Sequence, residues 1–275
     1  MKIDTLLREA RAKLGNKFSA VLDARLLLQA ATGLTHADIA ANPERDLNGD
    51  ALAKFNVFVE RRLAHEPVSR ILGWREFYGR RFTVTPDVLD PRPDTEVVVE
   101  EALERMTAGK FLDLGTGSGA IAVTLCTENK SLSGVATDVS PRALAVAKTN
   151  ALELGVQDRL NFVNSNWFAE INERFELIIS NPPYIRAGTT LMADVAKYDP
   201  GLALFGGRDG LDAYRAISAG APKYLKANGL VIVEIGWDQA EDVTQIFELR
   251  GFSRQIARPD LGGHVRALGF TYSQN

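Results

Sequence analysis

The chain has 275 residues, of which 45% are hydrophobic and 24% are charged. This composition is typical of a folded globular protein and excludes a mainly disordered chain. The 32 Lys and Arg residues are nearly balanced by 35 Asp and Glu residues. The resulting net charge of −3 argues against a protein held on nucleic acid mainly through its phosphates.

The cysteine and histidine content further limits the kinds of covalent link and metal site that the chain can form. Cys126 is the single cysteine, which excludes an internal disulfide, and its apolar neighbours predict a buried thiol. The three histidines are scattered and no Cys-x-x-Cys pair is present, so we expect no metal site. The charged N-terminal segment lacks the apolar core of a signal peptide, and no uncharged stretch is long enough to cross a bilayer. We therefore expect a cytoplasmic protein with no membrane partner.

Residues 1–75 have the hydrophobic spacing of amphipathic helices. Apolar residues recur every three or four positions, first at Ile3, Leu6, Leu7, Ala10 and Leu14. Gly15 and Gly33 punctuate the predicted helices. Because no polar cluster converges here, we predict a small helical bundle that docks a partner and carries no catalytic residue.

The pattern changes at residues 76–92. Aromatic residues flank Gly79, which is typical of a β-hairpin with a short turn. Pro86, Pro91 and Pro93 follow. We interpret this segment as the connector between two domains.

From residue 93 to residue 275, short apolar strands alternate with amphipathic helices. The predicted strands are 111–114, 135–138, 160–163, 177–180 and 230–235. Their nearly continuous apolar character indicates strands covered on both faces, as in a doubly wound parallel sheet of an α/β protein. Segments 253–257 and 265–272 have no helical stretch between them, which predicts an antiparallel edge.

The first of these strands leads into a glycine-rich loop, Asp113-Leu114-Gly115-Thr116-Gly117-Ser118-Gly119. The loop fits a dinucleotide-binding turn, and Asp138 lies 23 residues after Gly115, near the offset of an acid that binds ribose. However, the Asp113 carboxylate would repel a diphosphate, whereas it would favour S-adenosylmethionine, which carries an ammonium and a sulfonium. A nicotinamide dehydrogenase is the alternative that this loop leaves open.

A second motif, the tetrad Asn181-Pro182-Pro183-Tyr184, directly follows the predicted strand 177–180. Ligands of open α/β sheets bind beyond the carboxyl ends of the strands, so the tetrad and the glycine loop should face one crevice. The Asn181 side-chain oxygen and the Pro182 carbonyl are two acceptors, and Tyr184 offers a flat face. Together they suit a planar –NH2 group whose nitrogen must be oriented toward a methyl donor.

These motifs together resemble the PrmC (HemK) family, the N5-glutamine methyltransferases that act on peptide chain release factors. The resemblance covers nearly the whole chain. Besides the glycine loop and the tetrad, the matching segments are 23–28, 71–73, 76–79, 91–96, 198–200 and 206–211. The glycine loop is shared by many methyltransferases. The connector and the segments after the tetrad are the parts that point to this family in particular.

The resemblance implies a Rossmann-like, seven-stranded methyltransferase sheet in residues 93–275, preceded by the helical bundle of residues 1–75 and the hairpin connector. It implies methylation of the glutamine in the Gly-Gly-Gln motif of class 1 release factors, with S-adenosylmethionine as donor, S-adenosylhomocysteine as product and no metal. The residues implied to bind the cofactor are Asp113, Gly115, Thr116, Gly117, Ser118, Gly119, Asp138, Trp167 and Asn181. The residues implied to bind the glutamine are Asn181, Pro182, Pro183 and Tyr184, with Asn181, Pro182 and Tyr184 catalytic. Residues 92–96 should line the methionine end of the cofactor.

Two positions depart from the family pattern. Asn166 stands where members commonly have Asp, and Asp90 replaces a commonly apolar residue. The tetrad also occurs in enzymes that methylate exocyclic amines, so an N6-adenine or N2-guanine nucleic-acid methyltransferase is the main alternative. A non-catalytic module that binds translation factors is a further alternative. We expect a monomer.

Overall fold

The structure is a computed structural model and describes residues 1–15 and 19–272. The helices are α1 Ile3–Leu14, α2 Ala20–Thr32, α3 His36–Ala41, α4 Gly49–Leu63, α5 Val68–Leu72, α6 Glu96–Arg105, α7 Ala120–Glu128, α8 Pro141–Glu153, α9 Ala193–Tyr198, α10 Asp212–Tyr224 and α11 Ala240–Glu248. The strands are β1 Trp74–Phe77, β2 Arg80–Thr83, β3 Gly109–Leu114, β4 Leu132–Asp138, β5 Leu160–Asn164, β6 Phe175–Ser180, β7 Leu225–Glu234, β8 Phe252–Pro259 and β9 Val265–Tyr272.

The chain divides into two compact units. The first comprises Met1–Trp74 and Met192–Tyr198, and the second comprises Arg75–Leu191 and the chain from Asp199 onward. The segment Met192–Tyr198, which contains α9, thus lies in the first unit, whereas the sequence analysis placed it in the second.

The helical unit has its own apolar core. The residues spaced for amphipathic helices in α1, α2 and α4 are buried together, among them Ile3, Leu27 and Phe55. Asp23 and Arg62 form an ion pair of 2.7 Å (Nε to Oδ2) between α2 and α4, and both side chains are buried. In the same unit, the Tyr198 hydroxyl donates to the Ala64 carbonyl at 3.3 Å.

The hairpin predicted around Gly79 is formed by β1 and β2. Tyr78 and Gly79 both have positive φ, 50° and 69°, as a two-residue turn requires in a tight hairpin. The rings of Phe77 and Phe82 meet edge to face with centroids 5.9 Å apart, and both are buried in the core of the second unit.

The second unit is built on a seven-stranded sheet in the order β5-β4-β3-β6-β7-β9-β8. The strands from β3 to β7 are parallel, while β9 runs antiparallel between β7 and β8. The predicted doubly wound sheet with an antiparallel edge is therefore confirmed. Cys126 is fully buried in α7, as expected, and burial raises the pKa of its thiol to about 11.

The strand register brings four loops to one edge of this sheet. Asp113 pairs with Ala136 on one side and with Ile179 on the other, and Ser180 pairs with Val233. The carboxyl ends of β4, β3, β6 and β7 are therefore level. This edge is where an open α/β sheet binds its ligand.

Candidate active site

A cavity of about 410 Å³ lies at this edge, within the second unit. The predicted site residues that line it are Gly115, Thr116, Gly117, Ser118, Asp138, Trp167, Asn181 and Pro183. The predicted residues outside its lining are Asp113, Gly119, Pro182 and Tyr184. The structure thus brings the glycine loop and the first residue of the tetrad to one cavity.

The glycine loop turns sharply from β3 into α7. Gly117 and Gly119 have φ values of 57° and 81°, which only glycine adopts without strain. A Cβ at Gly117 would meet no atom within 4 Å, whereas one at Gly119 would lie 3.1 Å from the Ala147 Cβ. Gly117 therefore leaves room for a ligand to approach the backbone, while Gly119 allows α7 to pack against α8.

Asp138 ends β4 and faces the same cavity. Its Oδ2 accepts from the Gly117 amide at 2.9 Å, and its Oδ1 accepts from the Ser140 amide at 2.8 Å. These bonds fix the carboxylate, and burial raises its pKa. Because each carboxylate oxygen can accept more than one hydrogen bond, Asp138 can also bind a pair of ligand hydroxyls.

Asp113 is buried behind the glycine loop, whereas the sequence analysis expected its carboxylate to face the ligand. Its Oδ2 accepts from the Thr116 hydroxyl at 2.6 Å, and its Oδ1 is buried with no hydrogen-bond partner within the described residues. Complete burial raises the pKa of this carboxyl to about 7. Asp113 therefore orders the loop through Thr116, and its carboxylate is not part of the cavity wall.

Trp167 has a strained backbone at the cavity. Its φ is 51°, which is rare for a bulky residue, and the Ser165 hydroxyl donates to its carbonyl at 2.9 Å. Backbone strain of this kind clusters at ligand sites. The flat indole and the neighbouring Asn166 both line the cavity, where they can contact a planar ring.

The tetrad begins at the end of β6. The Ser180 hydroxyl donates to the Leu114 carbonyl at 2.6 Å, which ties this end of β6 to the end of β3. Asn181 Nδ2 donates to the Thr95 hydroxyl at 3.0 Å. Among the hydrogen bonds of the described chain, none is accepted by Asn181 Oδ1 or by the Pro182 carbonyl. Asn181 lines the cavity, so its side-chain oxygen is available to a ligand there, whereas Pro182 lies outside the lining.

The other end of the tetrad is held by Gln239, the residue just before α11. Gln239 Nε2 donates to the Tyr184 carbonyl at 3.0 Å, and Gln239 Oε1 accepts from the Gly236 amide at 3.0 Å. The Tyr184 ring packs against the core around β7, and burial raises the pKa of its phenol to about 12. The phenol therefore stays protonated at neutral pH.

Sequence reasoning missed Gln239, which no motif spacing links to the site. It predicted that segment 92–96 lines the site and matched segment 198–200 to the family, but it gave Thr95 and Asp199 no individual role. Arg92 lines the cavity and its Nη2 lies 2.7 Å from Asp199 Oδ2, so an ion pair fastens the chain after the tetrad beside the cavity. Pro200, Leu202 and Ala203 complete that part of the wall.

Two other kinds of feature, a metal centre and a membrane-spanning helix, are absent from the described residues. Among residues 1–15 and 19–272, no group of three or more His, Cys, Asp and Glu side chains is arranged to hold a metal ion. None of the helices in these ranges has the length and apolar character needed to span a membrane.

Comparison with family models divides the chain in two. Residues 5–73 match the PrmC N-terminal domain, and residues 90–198 match the methyltransferase small domain. Among solved structures, a methyltransferase from Pyrococcus furiosus aligns with a TM-score of 0.54 at 16% identity, covering 82% of this chain and 100% of that one. A ribosomal protein L11 methylase from Lactobacillus delbrueckii subsp. bulgaricus aligns with a TM-score of 0.51 at 20% identity, covering 68% and 83%. At this level of identity, the likeness supports a methyltransferase fold and nothing further.

Curated relatives are much closer in sequence. The release factor glutamine methyltransferase of Agrobacterium fabrum is 45% identical over 259 residues, which cover 91% of this chain and 90% of the relative. The enzyme of the same name from Cereibacter sphaeroides is 47% identical over 251 residues, with 90% of each chain covered. Because this identity extends over nearly the full length of both proteins, the chain belongs to the release factor glutamine methyltransferase family.

Proposed function

We propose that this protein transfers a methyl group from S-adenosylmethionine to the side-chain amide nitrogen of the glutamine in the Gly-Gly-Gln motif of class 1 release factors. One observation carries the proposal. The glycine loop, Asp138 and Asn181 line one cavity, and the acceptor oxygens of Asn181 and Pro182 have no partner in the described chain. A ribonucleoside and an amide can therefore be bound side by side.

The cofactor end of the cavity fits a nucleoside without phosphates. Asp138 can accept hydrogen bonds from both ribose hydroxyls, and such charge-assisted bonds contribute about 1.5–3 kcal/mol each. Trp167 can pack on the adenine, and the open space at Gly117 lets the cofactor lie against the loop backbone. When bound, S-adenosylmethionine supplies an electrophilic methyl group on a sulfonium.

The substrate end addresses the weak nucleophilicity of an amide nitrogen. That nitrogen shares its lone pair with the carbonyl, so its orientation matters more than for an amine. Asn181 Oδ1 and the Pro182 carbonyl can each accept one N–H of the glutamine amide and hold its nitrogen toward the methyl donor. Positioning of this kind can lower a barrier by several kcal/mol.

No side chain at the cavity is needed as a general base. The Tyr184 phenol has a pKa of about 12 and does not line the cavity, while the Asp113 carboxylate is buried behind the loop. We propose that the proton lost by the amide nitrogen leaves to water. The reaction requires no metal ion.

We propose that the helical unit and the hairpin dock the release factor, because no convergent polar cluster in the sequence of the helical segment indicates a catalytic role. The chain from Ile185 to Gly210 contains α9 and is longer than an ordinary connection, so we propose that it acts as a lid. We further propose that the enzyme is a cytoplasmic monomer.

Mass spectrometry tests this function. The full-length enzyme is incubated with S-adenosylmethionine and a class 1 release factor, and the peptide that contains Gly-Gly-Gln is sequenced. We expect one added methyl group on that glutamine, and none on a release factor in which alanine replaces it. An unmodified glutamine would refute the substrate assignment. Methylation of oligonucleotides instead would support the exocyclic-amine alternative.

A further inference from the structure

The substrate end of the site depends on which way the Asn181 carboxamide faces. With its nitrogen toward Thr95, its oxygen is presented to the substrate amide; with the group rotated by 180°, a donor would meet a donor. A carboxamide has nearly the same shape in both orientations, so packing alone does not select one. A hydrogen-bond partner of fixed polarity must select it.

Thr95 is placed to make this selection. It lies in the 3₁₀ turn Pro93–Thr95 just before α6, is only 3% exposed, and its hydroxyl oxygen is 3.0 Å from Asn181 Nδ2. A hydroxyl has one proton, however, and can either donate or accept toward Asn181. Thr95 can therefore fix Asn181 only if its own proton is committed elsewhere.

Glu234 provides that acceptor. It is the last residue of β7, and the register pair Ser180 and Val233 places it level with Asn181 on the neighbouring strand. Its carboxylate is 1% exposed, and the Thr95 side chain is among the neighbours that influence its pKa. When the Thr95 hydroxyl donates to this carboxylate, the Thr95 oxygen can only accept from Asn181.

The proposed reaction makes no other use of Glu234. Burying a carboxylate is costly, and its Oε2 has no hydrogen-bond partner within the described residues. Its charged neighbours are Asp94, Arg266 and Arg92, and Arg266 is itself paired with Asp94 and Asp260. A buried acid retained in this setting is consistent with a positioning role.

We propose that Thr95 and Glu234 are positioning residues which lock the Asn181 carboxamide with its oxygen toward the substrate amide. This inference rests on the proposed function, because it specifies how the amide clamp is held. It predicts that each hydrogen bond sets the direction of the next: Glu234 accepts from Thr95, and Thr95 therefore accepts from Asn181.

The direct test needs no substrate. In the ¹⁵N-labelled full-length protein, the side-chain NH2 signals of Asn181 are assigned by their disappearance in Asn181→Asp. We expect the proton donated to Thr95 to exchange slowly with solvent in the wild type, and at least about tenfold faster in Thr95→Val, which has the same shape but no hydroxyl. Thr95→Ser should recover most of the protection. Equal exchange in the wild type and Thr95→Val would overturn the proposal.

Thr124→Val is the matched control. Thr124 is a fully buried threonine in α7 whose hydroxyl has no partner in the described chain. The same substitution there removes no hydrogen bond, so both the Asn181 exchange rate and turnover should stay at wild-type values.

Turnover provides an independent test. With release factor as substrate, Thr95→Val and Glu234→Leu, which each remove one partner of this chain of hydrogen bonds, should each lower kcat at least about tenfold, with the cofactor Kd from calorimetry unchanged. In an Asn181→Ala background, measured in single turnovers, Thr95→Val should have no further effect, because it acts through Asn181. Losses that multiply would overturn the proposal. A wild-type enzyme that does not methylate release factor would refute the proposed function, and the exchange experiment would still decide this inference.

Discussion

The glycine loop and the tetrad leave adjacent strands at the same edge of the sheet, but they are held in different ways. The loop is fixed by near neighbours: Gly117 bonds to Asp138, 21 residues away, and Thr116 bonds to Asp113. The tetrad is fixed from a distance, since its partners Thr95 and Gln239 lie 86 and 55 residues away. The cofactor end is thus a local structure, whereas the substrate end is assembled by the whole second unit.

This difference has a functional consequence. A local loop can bind the same cofactor in many enzymes, whatever the rest of the chain does. A clamp built from distant segments can be adjusted to one substrate by changes that never touch the cofactor. Substitutions at the two ends should therefore separate cofactor affinity from turnover.

The largest effect is expected at the substrate end. Asn181→Ala removes one of the two acceptors proposed for the amide and should lower turnover by at least about 10²-fold. Methyl transfer to release factor measures turnover, and calorimetry should show that cofactor binding is retained. Turnover close to that of the wild type would remove the amide clamp from the account.

At the cofactor end, we expect a substitution to weaken cofactor binding and to leave turnover largely unchanged. Asp138→Asn keeps the size of the side chain but removes the charge that strengthens its bonds to ribose hydroxyls. The cofactor Kd should rise by about 10–100-fold, while turnover at saturating cofactor changes much less. An unchanged Kd in calorimetry would contradict the role given to Asp138.

The surroundings of Gly115 and Gly210 show how tightly the cofactor end and the substrate end of the site are packed. Both Gly115 and Gly210 have positive φ, but a Cβ at Gly115 would meet no atom within 4 Å, whereas one at Gly210 would lie 2.3 Å from the Tyr184 carbonyl oxygen. Gly115→Ala should lower the free energy of unfolding by about 1–2 kcal/mol through backbone strain. Gly210→Ala should cost about 1–3 kcal/mol more because the backbone of the tetrad must move. Urea unfolding of the cofactor-free protein measures both, and equal losses would show that the tetrad is not closely packed there.

The last prediction concerns the acid behind the clamp, whose effect is spread over a range of pH. Burial raises the pKa of Glu234 to about 7, so the protonated form favours the folded state. That contribution is fully present below the unfolded pKa and is lost as pH rises toward 7. The wild type should therefore lose stability relative to Glu234→Gln across this range, by at most about 1.4 kcal/mol per pH unit. Asp113 shifts in the same direction but is present in both proteins, so it cancels. A difference in unfolding free energy that does not change with pH would contradict the burial of an ionisable Glu234.

Much of the fold could be predicted from local patterns. The alternation of apolar strands and helices predicted the parallel sheet, and the aromatic residues around Gly79 predicted the hairpin, because both signals lie within a few residues. Met192–Tyr198 joins the helical unit instead, since its short helix packs through contacts that no local pattern encodes.

The site was predictable to the same extent. The glycine loop, Asp138 and Asn181 were placed in one cavity because the ends of parallel strands must meet at one edge. The depth of Asp113 was not predicted, because a residue at the end of a strand can face either the cavity or the core. Glu234 and Gln239 were missed because their roles depend on which loops the folded sheet brings together, and Thr95 was predicted only as part of segment 92–96, without a role of its own.

The central claim is that the Asn181 side-chain oxygen and the Pro182 carbonyl hold the glutamine amide beside the methyl donor. A crystal structure of this enzyme with S-adenosylhomocysteine and a release factor tests it most directly. The account predicts that the glutamine amide nitrogen donates to both oxygens and faces the cofactor sulfur across the shared cavity. A glutamine bound elsewhere, with those two oxygens turned away from the nucleoside, would contradict it.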